Sequence, residues 1–229
     1  PRDAVAPYLL AGTEGAASPF WSPDSRSIAF LVDGMLKRVE VAGGPPQVIA
    51  RVPLSGGSGS WNAAGTILLG GLGSQHGILA LSADGGPVSS VTLPDVAKGE
   101  AWHFWPHFLP DGRHFLYLAN SARSDRRTLY VGSLDGGAAE ALDRASSRAE
   151  YAAGQLLYVQ DGTLVAHPFD PETRRFTAAP LPLADRIQCF EPTGFAAFSA
   201  GRDVLAYLSG TVASRLVWFN RNGRELGTV

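Results

Sequence analysis

An all-β fold is predicted by three features of the 229-residue chain. First, short apolar runs are separated by Gly, Pro, Asn and Asp turn signals, and the 27 Gly and 16 Pro leave no window for a helix of useful length. Second, a strand–turn–strand phrase recurs: "FWSPDSRSIAF" at 20–30 returns as "FLPDGRHFLYL" at 108–118. Third, the second run of each recurrence is apolar throughout, as in "SIAFLV", "TILLGG", "HFLYLA", "QLLYVQ" and "VLAYLS". Short hairpins enforce antiparallel pairing, and an antiparallel sheet with one wet face alternates apolar with polar residues. Runs without alternation need both faces covered. Small antiparallel sheets stacked face to face around an axis meet that need, which is a β-propeller. A two-sheet sandwich leaves its outer faces polar and is disfavoured.

The elements follow in order from this phrase. Ser22-Pro23-Asp24-Ser25 has Ser at i and Pro at i+1, as a type I turn prefers, and Leu109-Pro110-Asp111-Gly112 repeats it with Gly at i+3. Weaker copies are "SWNAAGTILL", "GQLLYVQDGTL" and "FSAGRDVLAYLSG". The repeat is thus about 40–50 residues long, within the range of propeller blades. The first copy holds four strand-like runs, Ala17–Trp21, Ser27–Leu31, Leu36–Val41 and Gln47–Arg51. Gly43-Gly44, Asp84-Gly85-Gly86, Asp135-Gly136-Gly137 and Asn222-Gly223 supply the positive φ of the hairpin between third and fourth strands. The expected organisation is a single domain over 1–229 with about five four-stranded blades at 15–52, 54–93, 101–143, 147–185 and 193–229. Residues 5–12 read as an orphan outer strand, which favours membership of a longer ring, of six or more blades, over closure by the chain's own ends. Ile28, Leu68, Phe115, Leu156 and Leu205 are expected at equivalent buried positions.

The phrases "FWSPDSRSIAF" and "FLPDGRHFLYL" resemble the repeats of TolB-like propellers, relatives of WD-repeat propellers without the Trp-Asp signature. More narrowly, "PFWSPDSRSIAFLVDGMLKRVEVAGG", "GTLVAHPFDPETRRFTAAPLPLAD" and "RLVWFNRNGRELGTV" resemble the sensor region of certain bacterial serine/threonine receptor kinases. The second copy departs by placing Asn62-Ala63-Ala64 where Ser-Pro-Asp is expected, and the fourth lacks the triplet. Kinase signatures are absent from the sequence: there is no Gly-rich loop with a strand lysine, no His-Arg-Asp and no Asp-Phe-Gly.

Composition narrows the function. A net charge of −2 argues against a phosphate-binding surface and hence against nucleic acid. One cysteine, Cys189, excludes an internal disulfide framework but leaves the compartment open. No apolar run reaches the 18 residues of a membrane span.

His103 and His107 in "AWHFWPHF" suggest zinc only on a helix, where i and i+4 share a face. On a strand, four steps of roughly 3.3 Å put them about 13 Å apart, so His107 reads as a packed or channel-lining residue. "GGSGS" at 56–60 nearly imitates a nucleophile elbow, but Ser60 occupies its last Gly position and no strand–turn–helix surrounds Ser58. The turn aspartates Asp24, Asp84, Asp111, Asp135 and Asp161 are expected to bond local backbone donors.

What remains is a recognition surface. Strand direction alternates within a blade, so the turns at Pro23-Asp24 and Gly43-Gly44 share one rim. The second-to-third strand connections and inter-blade crossings share the other. The first rim is uniform and the second varied, and varied loops on a rigid scaffold carry binding residues. Lys98, Arg123, Arg126, Arg127 and Arg148 lie there as candidate partner contacts. The expected function is non-catalytic recognition of a protein, peptide or small ligand, with no cofactor, no nucleic acid and no membrane insertion by this segment. By resemblance the domain is extracytoplasmic and the sensor of a receptor kinase. The alternatives are a propeller that gates a separate peptidase-like hydrolase domain, and a periplasmic TolB-like scaffold.

Overall fold

The computed structural model describes residues 9–73, 77–121, 127–210, 217–219 and 225–228. Among them the chain is all-β, with a single 3-10 turn at Val96–Lys98. Four antiparallel sheets follow one another. The first holds β1 (Ala17–Trp21), β2 (Ser27–Val32), β3 (Met35–Glu40) and β4 (Gln47–Arg51). The second holds β5 (Leu54–Trp61), β6 (Thr66–Gly73), β7 (Leu79–Ser82) and β8 (Ser89–Ser90). The third holds β9 (Glu100–Phe108), β10 (His114–Ser121), β11 (Thr128–Ser133) and β12 (Glu140–Arg144). The fourth holds β13 (Ala149–Ala152), β14 (Gln155–Gln160) and β15 (Thr163–Asp170), with β16 (Arg175–Phe176) and β17 (Leu181–Ala184) both paired to β15.

The fifth copy lies partly outside the described residues, and the described part of it and of the crossing before it differs from the first four sheets. Instead of one four-stranded sheet, the described residues form three two-stranded ladders: β18 (Cys189–Phe190) with β19 (Phe195–Ala196), β20 (Phe198–Ala200) with β21 (Leu205–Tyr207), and β22 (Val217–Phe219) with β23 (Glu225–Thr228). The orphan strand expected at 5–12 is not a strand where it is described. Leu10 and Ala11 enter a turn in which the Thr13 hydroxyl donates to Leu10 O at 2.7 Å, and Gly12 has φ +78°. Residues 5–8 lie outside the described residues.

The continuous apolar runs bury both faces, as their lack of alternation required. Along β6, Ile67 and Leu69 pack on Ala29 and Leu31 of the first sheet, while Leu68 packs on Phe115 and Tyr117 of the third. Along β10, Leu116 and Leu118 turn to Leu156 and Tyr158 of the fourth sheet. Leu157 and Val159 in turn meet Ile187, Ala196 and Phe198. β6, β10 and β14 therefore each contribute alternate residues to two successive interfaces.

Two details of register correct the sequence reading. Trp21 lies opposite Ile28 and Phe108 opposite Phe115, but Trp61 lies opposite Ile67 rather than Leu68. The Asn62 turn is one residue shorter than the Ser22 turn: Asn62 N–H donates to Thr66 O, where Ser22 N–H donates to Ser27 O. A one-residue slip exchanges the faces of a strand, so Leu68 is fully buried but faces the next sheet. Ile28 and Leu205 are only half-buried, unlike Phe115 and Leu156.

The inner strands β1, β5, β9, β13 and β20 run alongside one another about an axial cleft. Glycine permits the close approach of β5 to β1 and of β6 to β9. A Cβ on Gly59 would sit 2.2 Å from the Phe20 ring, and one on Gly70 2.9 Å from His103 O. The turns close as the triplets predict: Ser22 Oγ donates to Asp24 Oδ1 at 2.6 Å, and Asp111 Oδ1 accepts the N–H groups of Arg113 and His114. Asp84 and Asp135 do not follow that pattern; their own N–H groups bond Ser82 and Ser133 hydroxyls, and the Asp135 carboxylate pairs with Arg113.

Candidate functional site

Of the five cations expected to meet a partner, three are described. Lys98 stands on the crossing between the second and third sheets, its side chain 62% exposed and 3.4 Å from Asp95. Arg127 and Arg148 are engaged inside the chain. Arg123 and Arg126 lie outside the described residues.

Arg127 is 4% exposed. Its Nε donates to Asn120 Oδ1 at 2.5 Å, its Nη1 pairs with Glu191 at 3.1 Å, and its Nη2 donates to Glu191 O. Asn120 also donates to Pro192 O at 2.8 Å, and the Trp105 indole N–H donates to Thr193 O at 2.7 Å. The crossing expected at Ile187–Thr193 is therefore a hairpin, β18–β19, folded back onto the third sheet. Gly194, at φ +68°, reaches Leu118 so closely that a Cβ there would lie 2.4 Å from its Cδ2.

Arg148 borders the axial cleft, which measures about 330 Å³ and takes residues from all five inner strands. Its guanidinium pairs with Glu150, donates to Ala196 O at 3.2 Å and to Phe198 O, and lies 4.7 Å from the Phe198 ring centre. The second Glu150 oxygen accepts the Ala200 N–H at 2.7 Å. The pair is thus neutral and internally satisfied, and it ties β13 to β20. Ser58 acts in a similar way, since its hydroxyl accepts the Trp105 N–H at 2.9 Å and binds β5 to β9.

His103 and His107 serve different compartments. A bulge at Trp105, φ +58°, interrupts β9 between them. His107 lines the cleft, as its alignment with Phe20 suggested. His103 is 1% exposed and sits between the second and third sheets. The Glu100 carboxylate can only accept, so His103 Nε2–H donates to it at 3.1 Å, Nδ1 of the neutral ring accepts the Thr92 hydroxyl at 2.6 Å, and Thr92 Oγ also accepts the Ile78 N–H at 2.8 Å. This hydroxyl–imidazole–carboxylate chain has the composition of a hydrolytic triad, but its ring is sealed from solvent and it works as a strap between sheets. Burial, aided by the Glu100 charge, pushes the neighbouring Tyr130 up to about 12. Among the described residues, no group of three or more His, Cys, Asp or Glu is arranged to hold a metal ion.

The histidines give the fold an acid limit. Burial lowers the affinity of His103 for a proton despite the opposing Glu100, and burial likewise lowers His107 and His167. Folded values below the unfolded value of about 6.5 mean that the unfolded chain binds more protons once the pH falls below that point. Stability is therefore complete above about pH 6.5 and declines as the pH falls through it, while the lowered carboxylates Asp24 and Asp170 act only below about pH 4. Guanidinium unfolding at pH 7.5, 6 and 5 should show this decline. A flat profile across that interval would show that the imidazoles titrate normally.

Sequence reasoning did not find the exposed apolar residues of the varied rim. Leu93, Val96, Phe190, Phe195 and Leu208 are 75%, 81%, 57%, 39% and 54% exposed. They flank the crossings and end the second strands, so they share the side of the domain occupied by Lys98 and the β18–β19 hairpin. The signal available in the sequence was apolar residues in loops, at Leu93 and Val96 beside Pro94.

Successive antiparallel sheets with their inner strands around an axial cleft define a β-propeller. No protein-family model matches the sequence, and no curated protein matches it. Solved structures do. TolB from Acinetobacter baumannii superposes with TM-score 0.60 at 18% identity over 85% of this chain, which spans about half (51%) of TolB's length. A structure in a nidogen/laminin complex superposes with TM-score 0.63 at 13% identity, covering 93% of this chain and 79% of that one. A prolyl endopeptidase does so with TM-score 0.55 at 17% identity, covering 99% and 37%. At these identities the likeness establishes the fold.

Proposed function

We propose that this propeller is a non-catalytic recognition domain that works outside the cytoplasm and binds a protein partner through its varied rim. One observation carries the reading: Leu93, Val96, Phe190, Phe195 and Leu208 stand exposed on the crossings, the hairpin and a second-strand end of that rim. Exposed apolar side chains also stand elsewhere, as Val48 and Leu181 do on outer strands, but those on varied loops are placed to anchor a partner, and aromatic anchors dominate binding energy. Arg123 and Arg126, on the same rim by sequence, complete the proposed contact set with Lys98. Arg127 and Arg148 support that rim from within. The TolB and nidogen/laminin likenesses are compatible with protein recognition, and the resemblance of the repeats favours the sensor of a receptor kinase.

The peptidase-gating alternative is favoured by the prolyl endopeptidase likeness alone. The reading frame on either side separates the two: a membrane span and kinase upstream support the first, a Gly-x-Ser-x-Gly domain downstream the second. The rim is tested by photo-crosslinking residues placed at Val96 and Phe190, with Pro23 and Ala63 on the opposite rim as controls. Crosslinks to one partner from Val96 and Phe190 only are expected. Crosslinks confined to Pro23 and Ala63 would show that the opposite rim binds.

A further inference from the structure

The axial cleft has a chemistry distinct from the rim. Its walls carry aromatic surface from neighbouring inner strands, Phe20 and Trp21 on β1, Trp61 on β5 and Trp105 on β9. Trp21 lines the cleft and is 55% exposed, so much of its indole is not committed to the core. Between the rings stand hydroxyls. The Ser60 oxygen accepts the Phe108 N–H at 3.1 Å, which leaves its proton to donate into the cleft. The cleft has charged groups, but they cancel: Arg148 pairs with Glu150, and the second Glu150 oxygen is held by Ala200 N–H. The guanidinium lies 5.8 Å from the Trp105 ring centre and 5.7 Å from that of Phe195, so the chain's own cation already occupies that aromatic face.

We propose that this cleft binds a neutral saccharide of one or two rings. A sugar presents an apolar C–H face that stacks on an indole and an edge of hydroxyls that bond to serine and imidazole groups. Trp21 and Trp61 supply the first, and Ser60 with the neutral His107 imidazole the second. An anion finds no uncompensated cation here, because Glu150 neutralises Arg148 and three of its five N–H groups are held by Glu150, Ala196 O and Phe198 O. A quaternary ammonium finds the Trp105 face taken and the carboxylate neutralised. The size agrees: about 330 Å³ is at the lower end of ligand pockets. Trp105 and Arg148 reach both the cleft and the rim hairpin, so the cleft is tested through Trp21 and Ser60 and the rim through Val96 and Phe190, and the two readings succeed or fail independently.

Intrinsic tryptophan fluorescence tests the assignment, because indoles line the site. Titration with glucose, N-acetylglucosamine, maltose and cellobiose should give saturable changes, with Kd of about 1 mM or tighter for at least one. Trp21→Ala and Ser60→Ala should each weaken that binding about tenfold, with Tm unchanged for the first and slightly lowered for the second, which leaves the Phe108 N–H without its acceptor; Val48→Ala, exposed on β4, should leave binding intact. Calorimetry supplies the readout for the Trp21 variant. Three results overturn the proposal: no saccharide signal up to about 50 mM, saccharide binding unaffected by both cleft variants, or binding of choline in place of any sugar, which would make the cleft a cation cage.

Discussion

Replacing Arg148 with alanine is expected to destabilise the domain by about 3–5 kcal/mol, the cost of leaving a buried charge uncompensated. For a chain of this length that is a fall in Tm of roughly 6–20 °C. The Glu150 side chain is only 10% exposed, so without its partner the carboxylate must be desolvated alone or protonated. Ala196 O and Phe198 O lose their donor together with it, and β13 loses a tie to β20. Arg148→Lys keeps the charge but loses the planar fork that reaches three acceptors at once, so it should recover only part. The double variant R148A/E150Q should be more stable than R148A alone, since it removes the orphaned charge. A single variant that keeps its Tm and instead loses partner binding would restore Arg148 to the rim contacts that the sequence suggested.

The sequence contained the architecture because its physical causes are local. Pro-Asp and Asp-Gly turns fix where strands reverse, and runs without alternation fix that both faces are covered; Ala29, Phe30, Leu116 and Leu157 obey this. The register of the second sheet was less legible. Asn62 replaces Ser22 and closes a turn one residue shorter, and only the hydrogen bonds reveal the slip. Asn62 also makes a bond that no local pattern encodes, since its amide donates to Gly112 O in the next sheet at 2.6 Å.

The internal engagement of Arg127 and Arg148 was illegible for a related reason. Charge in a loop looks the same in a sequence whether it faces water or a carbonyl 64 residues away, as the Arg127–Glu191 pair does. The β18–β19 hairpin is a tertiary feature with no periodicity of its own, so it passed for a crossing. The fifth copy kept the phrase of a blade while the described residues pair only in twos.

Replacing Arg127 with alanine should cost about 2–4 kcal/mol, from buried acceptors left without a charged donor, and so lower Tm by roughly 4–16 °C. The loss is not uniform. Arg127 and Asn120 hold the Glu191–Pro192 turn from beneath, and Trp105 holds Thr193. Without the guanidinium the hairpin should open locally, and the amides of Arg148 and Gly194 should exchange faster than those of β10 and β14, whose bonds do not depend on it. Glu191→Gln is the control. That carboxylate is 66% exposed, so its charge should contribute less than about 1 kcal/mol, while the backbone carbonyl of residue 191 still accepts from Arg127. If the rim binds a partner through Phe190 and Phe195, R127A should weaken that binding although Arg127 is buried, because it frees the hairpin that presents both rings. Unchanged exchange at the hairpin with lost binding would mean direct contact by Arg127. Faster exchange with lost binding identifies it as the residue that holds the recognition hairpin in place.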